Sequence, residues 1–314
     1  MAETFEAAWR RARNAFPGVP PLLVRDWVQD AYTQACEYRG GGWGFLRKEA
    51  SIDTLASRSL TVTFTQGSPT VTSAALFVAT DAGRQIRVTG YPIYTIISVT
   101  DASTIVLDRN YAETGGAETA SILDAYFTTP ADFHRFLIIV DRYNQRLLPY
   151  WFNQDQIGTA DPARFNSDTG PRYLVARDVS PATATLGQTR YEFWPTPTSE
   201  RHFPYLYYRQ AERLADTSVF PGVFSNRADF FKLGSLLAAS KFPGTKDLPN
   251  PYFNLALSDR LQRDWDLQLQ RVSLADDNQF PEDYVTVNFA LGYGVITETT
   301  NLLRSTDATV YDYY

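Results

Sequence analysis

The chain has 314 residues, a formal net charge of -6, 44% hydrophobic residues and 20% charged residues. These values are typical of a globular protein with a sizeable core. The acidic balance argues against a protein that grips duplex DNA by neutralising phosphates with clustered Lys and Arg. The single cysteine, Cys36, excludes an intrachain disulfide, and the two histidines, His134 and His202, have no zinc-site spacing. We therefore expect no metal and no cofactor.

The N-terminal residues Met1 to Thr4 introduce neither the basic nor the apolar region of a secretion signal, and no apolar run approaches membrane-spanning length. We therefore expect neither secretion by a standard signal nor a membrane span, and assembly in the cytosol fits. Aromatic residues make up 14% of the chain and are spread over every segment. Such rings supply packing area between proteins, so extensive subunit contact is the first interpretation, and stacking of sugars or bases is the alternative.

Two amphipathic helices are predicted at the start of the chain. Apolar residues recur at helical spacing from Phe5 to Phe16, and Pro17-Gly18 ends this helix. A second helix begins at Pro20-Pro21, because proline is favoured in a first turn, and ends at Gly40-Gly41-Gly42. An aromatic anchor, Trp43 to Leu46, follows the glycines.

The pattern changes between residues 58 and 127, where short β-prone runs alternate with turns such as Gly67-Ser68-Pro69 and Gly115-Gly116. This alternation predicts a small all-β module. The predicted strands are Leu60 to Thr65, Thr70 to Thr72, Gln85 to Thr89, Tyr94 to Val99, Thr104 to Leu107 and Ser121 to Phe127.

An α+β pattern resumes after Pro130. Trp194-Pro195-Thr196-Pro197 must lie at a sheet edge or outside pairing, because proline cannot donate to a sheet ladder. The predicted elements are a hairpin of Phe136 to Tyr143 and Arg146 to Trp151, a helix from Phe152 to Asp161 capped by Asn153, and strands around Arg172 to Ala176 and Tyr205 to Arg209.

Two further helices are predicted before the C-terminal tail. The first covers residues 226–242, and Asn250-Pro251 is predicted to begin the second and longest one. Its apolar stripe is expected to be buried throughout and consists of Phe253, Leu257, Leu261, Trp265, Leu269 and Val272. Residues 276–314 lose periodicity and are rich in acid, which predicts an extended acidic tail.

No catalytic constellation has the spacing that its chemistry needs, and we expect no enzymatic activity. His134 and His202 are solitary residues on β connections, which favours polar surface positions over general-base roles. The adjacent acids Asp276-Asp277 cannot flank a scissile glycosidic bond, because glycosidases take their carboxylates from separated elements. Gly40-Gly41-Gly42 follows a helix and so lacks the geometry of a phosphate-binding loop.

The order of these elements resembles that of the head-to-tail adaptor (connector) proteins of tailed bacteriophages. The resemblance rests on the short first helix, the Pro-initiated helix with Trp27 and Tyr32, the Trp43 anchor, and the strand pair around Trp194-Pro195-Thr196-Pro197 before the final helices. It implies a structural virion protein at the head-tail neck, assembled in the host cytoplasm. It also implies a homo-oligomeric, dodecameric ring that binds the portal protein and tail or neck proteins (nozzle, stopper or tail terminator). DNA would pass through its channel without specific binding.

The expected fold is α+β, with a helical layer of N-terminal and long C-terminal helices, antiparallel β elements and an inserted all-β domain. The predicted segments are 1–57 (N-terminal helices of the adaptor core), 58–127 (inserted module), 128–275 (remainder of the core) and 276–314 (acidic tail). By the resemblance, the tail reaches the portal and folds there, whereas its composition alone is equally that of a tail disordered in all states.

The predicted subunit or portal interface combines aromatic, basic and leucine side chains, because Trp beside Arg is typical of protein interfaces. Its members are Trp9, Arg13, Trp27, Trp43, Leu257, Trp265, Tyr311, Tyr313 and Tyr314. Two other classes stay open. One is a tail-associated receptor-binding or glycan-binding protein that uses residues 58–127, and the other is a cell-wall hydrolase, which the missing catalytic motifs disfavour.

Overall fold

The computed structural model of the protein describes residues 3–150, 154–162, 164–224, 227–246 and 249–279. The α-helices in this part of the chain are α1 (Phe5–Arg13), α2 (Pro21–Glu37), α3 (Gln154–Ala160), α4 (Ala228–Lys241) and α5 (Leu255–Gln279). The strands are β1 (Arg47–Thr54), β2 (Arg58–Phe64), β3 (Thr70–Ser73), β4 (Gln85–Val88), β5 (Tyr94–Asp101), β6 (Thr104–Leu107), β7 (Gly116–Leu123), β8 (Tyr126–Thr128), β9 (Phe133–Asp141), β10 (Arg146–Leu147), β11 (Ser167–Asp168), β12 (Tyr173–Val179), β13 (Thr189–Trp194), β14 (Thr196–Pro197) and β15 (Arg201–Arg209).

The described residues divide into two compact units. The first, called the helical unit, contains the chain up to Lys48 and the part from Tyr208 to the end of α5. The second, called the strand unit, is the continuous segment Glu49–Tyr207. The chain therefore passes from one unit to the other within β1 and returns within β15.

In the helical unit, α4 packs against α1, α2 and α5. Gly234 of α4 makes this possible, because a Cβ placed there would lie 2.5 Å from the Cβ of Ala31 in α2 and 2.8 Å from Cζ3 of Trp265 in α5. The rings of Trp265 and Phe230 stack with their centroids 4.3 Å apart. Further aromatic contacts join Tyr32 of α2 to the same core.

The predicted aromatic anchor after the glycines is a 3₁₀ turn, Gly44–Leu46, preceded by Trp43. The indole Nε1 of Trp43 donates to the carbonyl oxygen of Ala35 at 2.9 Å, and its ring is fully buried. The backbone N–H of Gly44 donates to Oδ2 of Asp276 at 2.7 Å. The end of α5 is thereby attached to the segment that follows α2.

The start of α5 differs from the prediction. The helix begins at Leu255, and the side chain of Asn254 caps it by accepting from the N–H of Leu257 at 3.1 Å. Asn250 instead closes the end of α4, because its Nδ2 donates to the carbonyl oxygens of Ala239 and Phe242 at 2.8 and 2.7 Å. An Asn-Pro pair indicates a turn at either end of a helix, and here it serves the preceding one.

The end of α5 also differs from the prediction. Asp276 was expected to open an acidic tail, but the helix continues to Gln279 and Asp276 is buried. The remaining 35 residues of the predicted tail, 280–314, lie outside the described residues. They include the predicted interface residues Tyr311, Tyr313 and Tyr314.

The β module is a six-stranded closed barrel with the strand order β2-β3-β6-β5-β4-β7. Alternate residues of β2 point inward, as the burial of Leu60, Val62 and Phe64 shows, and their neighbours Thr61 and Thr63 face solvent. This period of two is that of a strand with one buried face. Pairing of β2 with β7 closes the barrel and leaves its six strands without a free edge.

Two details of the barrel sequence were predicted wrongly. The expected strand from Ser121 to Phe127 is two strands, because β7 ends at Leu123 and β8 begins at Tyr126 in another sheet. Gly115-Gly116 was expected to be a turn, but Gly116 begins β7. A Cβ at Gly115 would lie 2.8 Å from the carbonyl oxygen of Phe64, so glycine is needed there for close backbone approach.

Three further sheets build the rest of the strand unit. Their orders are β1-β15-β9-β10, β12-β13-β8 and β11-β14. β14 contains Pro197 and pairs only with β11, so it is an edge strand, as expected for this Pro-rich break. The predicted hairpin is present, but β10 ends at Leu147 rather than Trp151. Residues 151–153, including the predicted cap Asn153, lie outside the described residues.

The mixed α+β class and the presence of an all-β module are confirmed. The core between the strands outside the barrel is aromatic, with Phe133, Phe136 and Tyr207 packed against Ile139 and Leu174.

The predicted apolar stripe of the longest helix, α5, is confirmed only in its second half. Trp265, Leu269 and Val272 are buried, whereas Phe253 and Leu257 are exposed.

Candidate interaction surfaces

Three of the predicted interface tryptophans are used inside the chain. Trp27, Trp43 and Trp265 are each buried in the helical unit. A side chain already enclosed by its own chain has little surface to offer a second subunit. Their predicted role in an interface stays a prediction, but the exposed residues around them are better placed to carry it.

The other described members of the predicted interface keep contact with solvent. Arg13 is exposed at the end of α1, and Leu257 is exposed in the first turn of α5. Trp9 is half-buried, and its Nε1 donates to Oδ1 of Asp216 at 3.3 Å. The structure does not bring these three side chains together as a set with the buried tryptophans.

A second stripe on α5 was missed by the sequence analysis. Leu267 and Leu274 are 54% and 63% exposed, and they lie seven residues apart on the side of the helix away from Trp265. We call them, with three exposed arginines on the same side, the α5 outer stripe. Its members are Arg260, Arg263, Leu267, Arg271 and Leu274. The spacing of the two leucines was the signal that could have revealed it.

The solvent side of α2 carries the opposite charge. Asp26, Asp30 and Glu37 are exposed and lie four and seven residues apart, so they share one side of the helix. We call them the α2 acidic stripe. Partial burial and the nearby Asp26 raise the pKa of the Asp30 carboxyl, whereas Arg213 acts in the opposite direction. The carboxylates of Asp26 and Asp30 are thus close enough to repel each other.

The strand unit contains a buried ionic cluster centred on Glu192 of β13. Its carboxylate is 2% exposed and accepts from Nε of Arg164 at 2.6 Å and from Nη1 of Arg177 at 2.8 Å. Two guanidinium groups lie over the ring of Tyr126, whose centroid is 4.4 Å from Cζ of Arg177 and 4.6 Å from Cζ of Arg190. Burial raises the pKa of the Tyr126 hydroxyl to about 12.

Hydrogen bonds from this cluster and its neighbours attach the barrel to the rest of the strand unit. Nη1 of Arg190 donates to Oγ1 of Thr95 at 2.8 Å. The N–H of Tyr126 donates to Oε1 of Gln85 at 2.9 Å, and Arg87 donates to the carbonyl oxygen of Arg164. Hydrogen bonds between largely buried polar groups hold the segments that they join in one relative position. The cluster therefore has an evident structural role.

The two histidines are dispersed among strands. His202 contacts Asp53 on β1, and both side chains are well exposed. No group of three or more His, Cys, Asp or Glu side chains in the described ranges is arranged to hold a metal ion. An open polar depression in the strand unit is lined by Arg146, Asp168 and Arg172 among others.

Cys36 is buried in α2, as its helical position predicted. Burial raises the pKa of its thiol to about 12, and the reactive species is the thiolate. We expect a thiol reagent such as DTNB to react with the native protein at mildly alkaline pH more than about a hundredfold more slowly than with the protein unfolded in guanidinium. Equal rates in the two states would show that Cys36 is accessible in the fold.

The barrel surface bears on the glycan-binding alternative. Its large rings, Phe64, Tyr94 and Tyr111, are buried in the interior, where Phe64 and Tyr111 stack at a centroid distance of 4.3 Å. Sugar sites usually present such rings to solvent as platforms. These three rings are therefore explained by the core of the module.

Comparisons with known proteins leave the family of the chain open. No family model matches the sequence, and a search of curated proteins finds no match. Within the described residues, no helix combines the length and the apolar character needed to cross a membrane.

Proposed function

We propose that this protein is a structural component of a bacteriophage virion, an adaptor ring under the portal that joins the DNA-filled head to the tail. The proposal combines the order of elements in the sequence with one observation on the structure. That observation is the two-sided character of α5, which buries Trp265 and Leu269 within the chain and exposes Leu267 and Leu274 on its other side. Exposed leucines beside arginines on a long, well-packed helix are typical of a surface that binds another protein.

In this proposal the helical unit forms the helical layer of the ring wall, and the adaptor has no catalytic role. Copies associate head to tail, and by analogy with portal vertices the ring is dodecameric. The net charge of -6 favours passage of DNA through the channel without capture. The barrel contributes lateral contacts, the residues after α5 bind the portal, and tail or neck proteins bind below.

The test is to mix the purified protein with portal-bearing, tailless capsids and to image the vertices by electron microscopy. We expect added density in the form of a ring beneath the portal. Bare portals would contradict the adaptor proposal and would favour a distal, receptor-binding tail component instead.

A truncated variant that ends at Gln279 tests the portal contact. Because the variant keeps all of α5 from Leu255 to Gln279 and Asp276 keeps its hydrogen bond to Gly44, we expect the helical unit to stay folded. We expect the variant to lose binding to portal rings, measured by cosedimentation, while its circular dichroism in the helical region is retained. Portal binding with unchanged affinity would show that residues 280–314 are not the portal-binding segment.

A further inference from the structure

We propose that the α5 outer stripe of one copy packs against the α2 acidic stripe of the next copy, and that this contact is the repeating interface of the ring. The inference rests on the proposed function and names the surfaces that join its subunits. The occupant of the α5 face is therefore a second copy of this chain. The contact pairs two different surfaces, which is the kind of interface that closes into a ring.

The chemistry of the α5 outer stripe calls for an acidic helical partner. Leu267 and Leu274 supply exposed apolar area, and Arg260, Arg263 and Arg271 place three positive charges beside them. The exposed acid Asp264 lies at the edge of the same side and offsets one of these charges. The three arginines form no ion pair within the described ranges of the chain. Arginine beside exposed leucine is suited to an interface, because its planar group can pair with carboxylates while its stem covers apolar surface.

The α2 acidic stripe matches this surface in charge and in length. The acidic stripe itself extends about 16 Å, and together with Leu22, one turn before Asp26 on the same side, it extends about 22 Å at 1.5 Å per helical residue. From Arg260 to Leu274 the outer stripe extends about 21 Å. Leu22 is 70% exposed at the N-terminal end of α2. In an antiparallel arrangement Leu22 lies opposite Leu274, and Glu37 lies opposite Arg260.

The two stripes cannot pair within one chain. Ala31 and Trp265, which lie on the buried sides of α2 and α5, both contact the position of Gly234. Each stripe is on the solvent side of its own helix. Both helices therefore turn the faces opposite to the stripes toward α4, and only a second copy can bring the arginines to the acids.

One basic residue lies beside the acidic stripe and has to be accommodated. Nη2 of Arg213 is 3.5 Å from Oδ1 of Asp26, and both side chains are largely exposed. An exposed ion pair of this kind contributes less than about 1 kcal/mol. Arg213 can turn away when a neighbouring copy presents three arginines, so it weakens the complementarity without cancelling it.

Charge-swap variants of the full chain test the pairing. The first variant carries Arg260→Glu, Arg263→Glu and Arg271→Glu, and the second carries Asp26→Lys, Asp30→Lys and Glu37→Lys. Self-association is measured by sedimentation velocity over a series of protein and salt concentrations, and fold integrity by circular dichroism. We expect each variant to self-associate at least about tenfold more weakly than the unchanged protein, because like charges then face each other.

Mixing the two variants is the decisive measurement. In the mixture each acidic stripe meets a basic stripe, so we expect association to recover and to produce alternating assemblies. A single chain with all six changes should recover it as well. The matched control for the first variant, Arg142→Glu with Lys232→Glu and Lys246→Glu, makes the same change in net charge as that variant at exposed positions outside both stripes. It should associate like the unchanged protein.

The outcomes separate this inference from the proposed function. If both triple variants associate like the unchanged protein, or if mixing restores nothing, the pairing of the two stripes is wrong, even where rings are seen on portals. If the unchanged protein is monomeric in solution and the variants form portal-bound rings as readily as it does, the pairing is wrong as well. If the stripes pair in solution but portals stay bare, the interface stands and the adaptor function fails.

Discussion

Replacing Glu192 with alanine is expected to lower the free energy of unfolding of the strand unit by about 3–5 kcal/mol. The loss is large because the change leaves two guanidinium groups, those of Arg164 and Arg177, without the buried carboxylate that compensates their charge. Hydrogen exchange followed by mass spectrometry can measure the effect by segment. Protection should fall in β12 and β13 and stay unchanged in α4 and α5.

An exposed ion pair supplies the control for Glu192. Glu6 and Arg10 are 2.5 Å apart in α1, and both remain accessible to solvent. Glu6→Ala should cost less than about 1 kcal/mol, because water already screens that pair. Similar losses for the two variants would mean that the Glu192 cluster is no more than a surface network.

Replacing Gly234 with alanine is expected to lower the free energy of unfolding of the helical unit by about 2–3 kcal/mol. Alanine is the better helix former by about 1 kcal/mol, but its Cβ would lie 2.5 Å from the Cβ of Ala31 and 2.8 Å from Trp265. Neither neighbour is the flexible end of a side chain, so α2 or α5 has to move. Exchange protection should therefore fall in α2, α4 and α5 together.

A second helical glycine provides the matched control. Gly158 lies within α3, and a Cβ there would meet nothing within 4 Å. Gly158→Ala should leave the stability unchanged or raise it by up to about 1 kcal/mol. Adding Ala31→Gly to Gly234→Ala should recover part of the loss, because it removes the shorter of the two contacts. Independent, additive effects of these two changes would contradict the proposed crowding.

The sequence patterns predicted those helices and strands that are determined by residues close together in the chain. Helical periodicity located α1, α2 and α4 to within a few residues, and turn residues divided the barrel strands almost correctly. Glycine and proline mark such boundaries through backbone conformation, which depends little on distant residues. Burial of Trp27, Trp43 and Trp265 was less predictable, because the same large ring is favoured in a core and in an interface.

The features that required the structure depend on residues far apart in the chain. Arg164, Arg177 and Glu192 have no recognisable spacing, and only the pairing of β12 with β13 brings two of them together. Closure of the barrel is likewise a matter of which strands meet, and strand alternation does not specify it. The α5 outer stripe was overlooked because the first apolar stripe already accounted for an amphipathic helix.

The positions at which the chain enters and leaves the barrel affect how the protein can change in evolution. The barrel's first and last strands, β2 and β7, are hydrogen-bonded neighbours, with Arg58 opposite Ile122. The chain consequently leaves the module beside the point at which it entered. A segment with adjacent ends can be exchanged, enlarged or removed without redirecting the flanking chain. Relatives that share the helical unit but carry a different module, or a short turn, at this position are the expected evolutionary result.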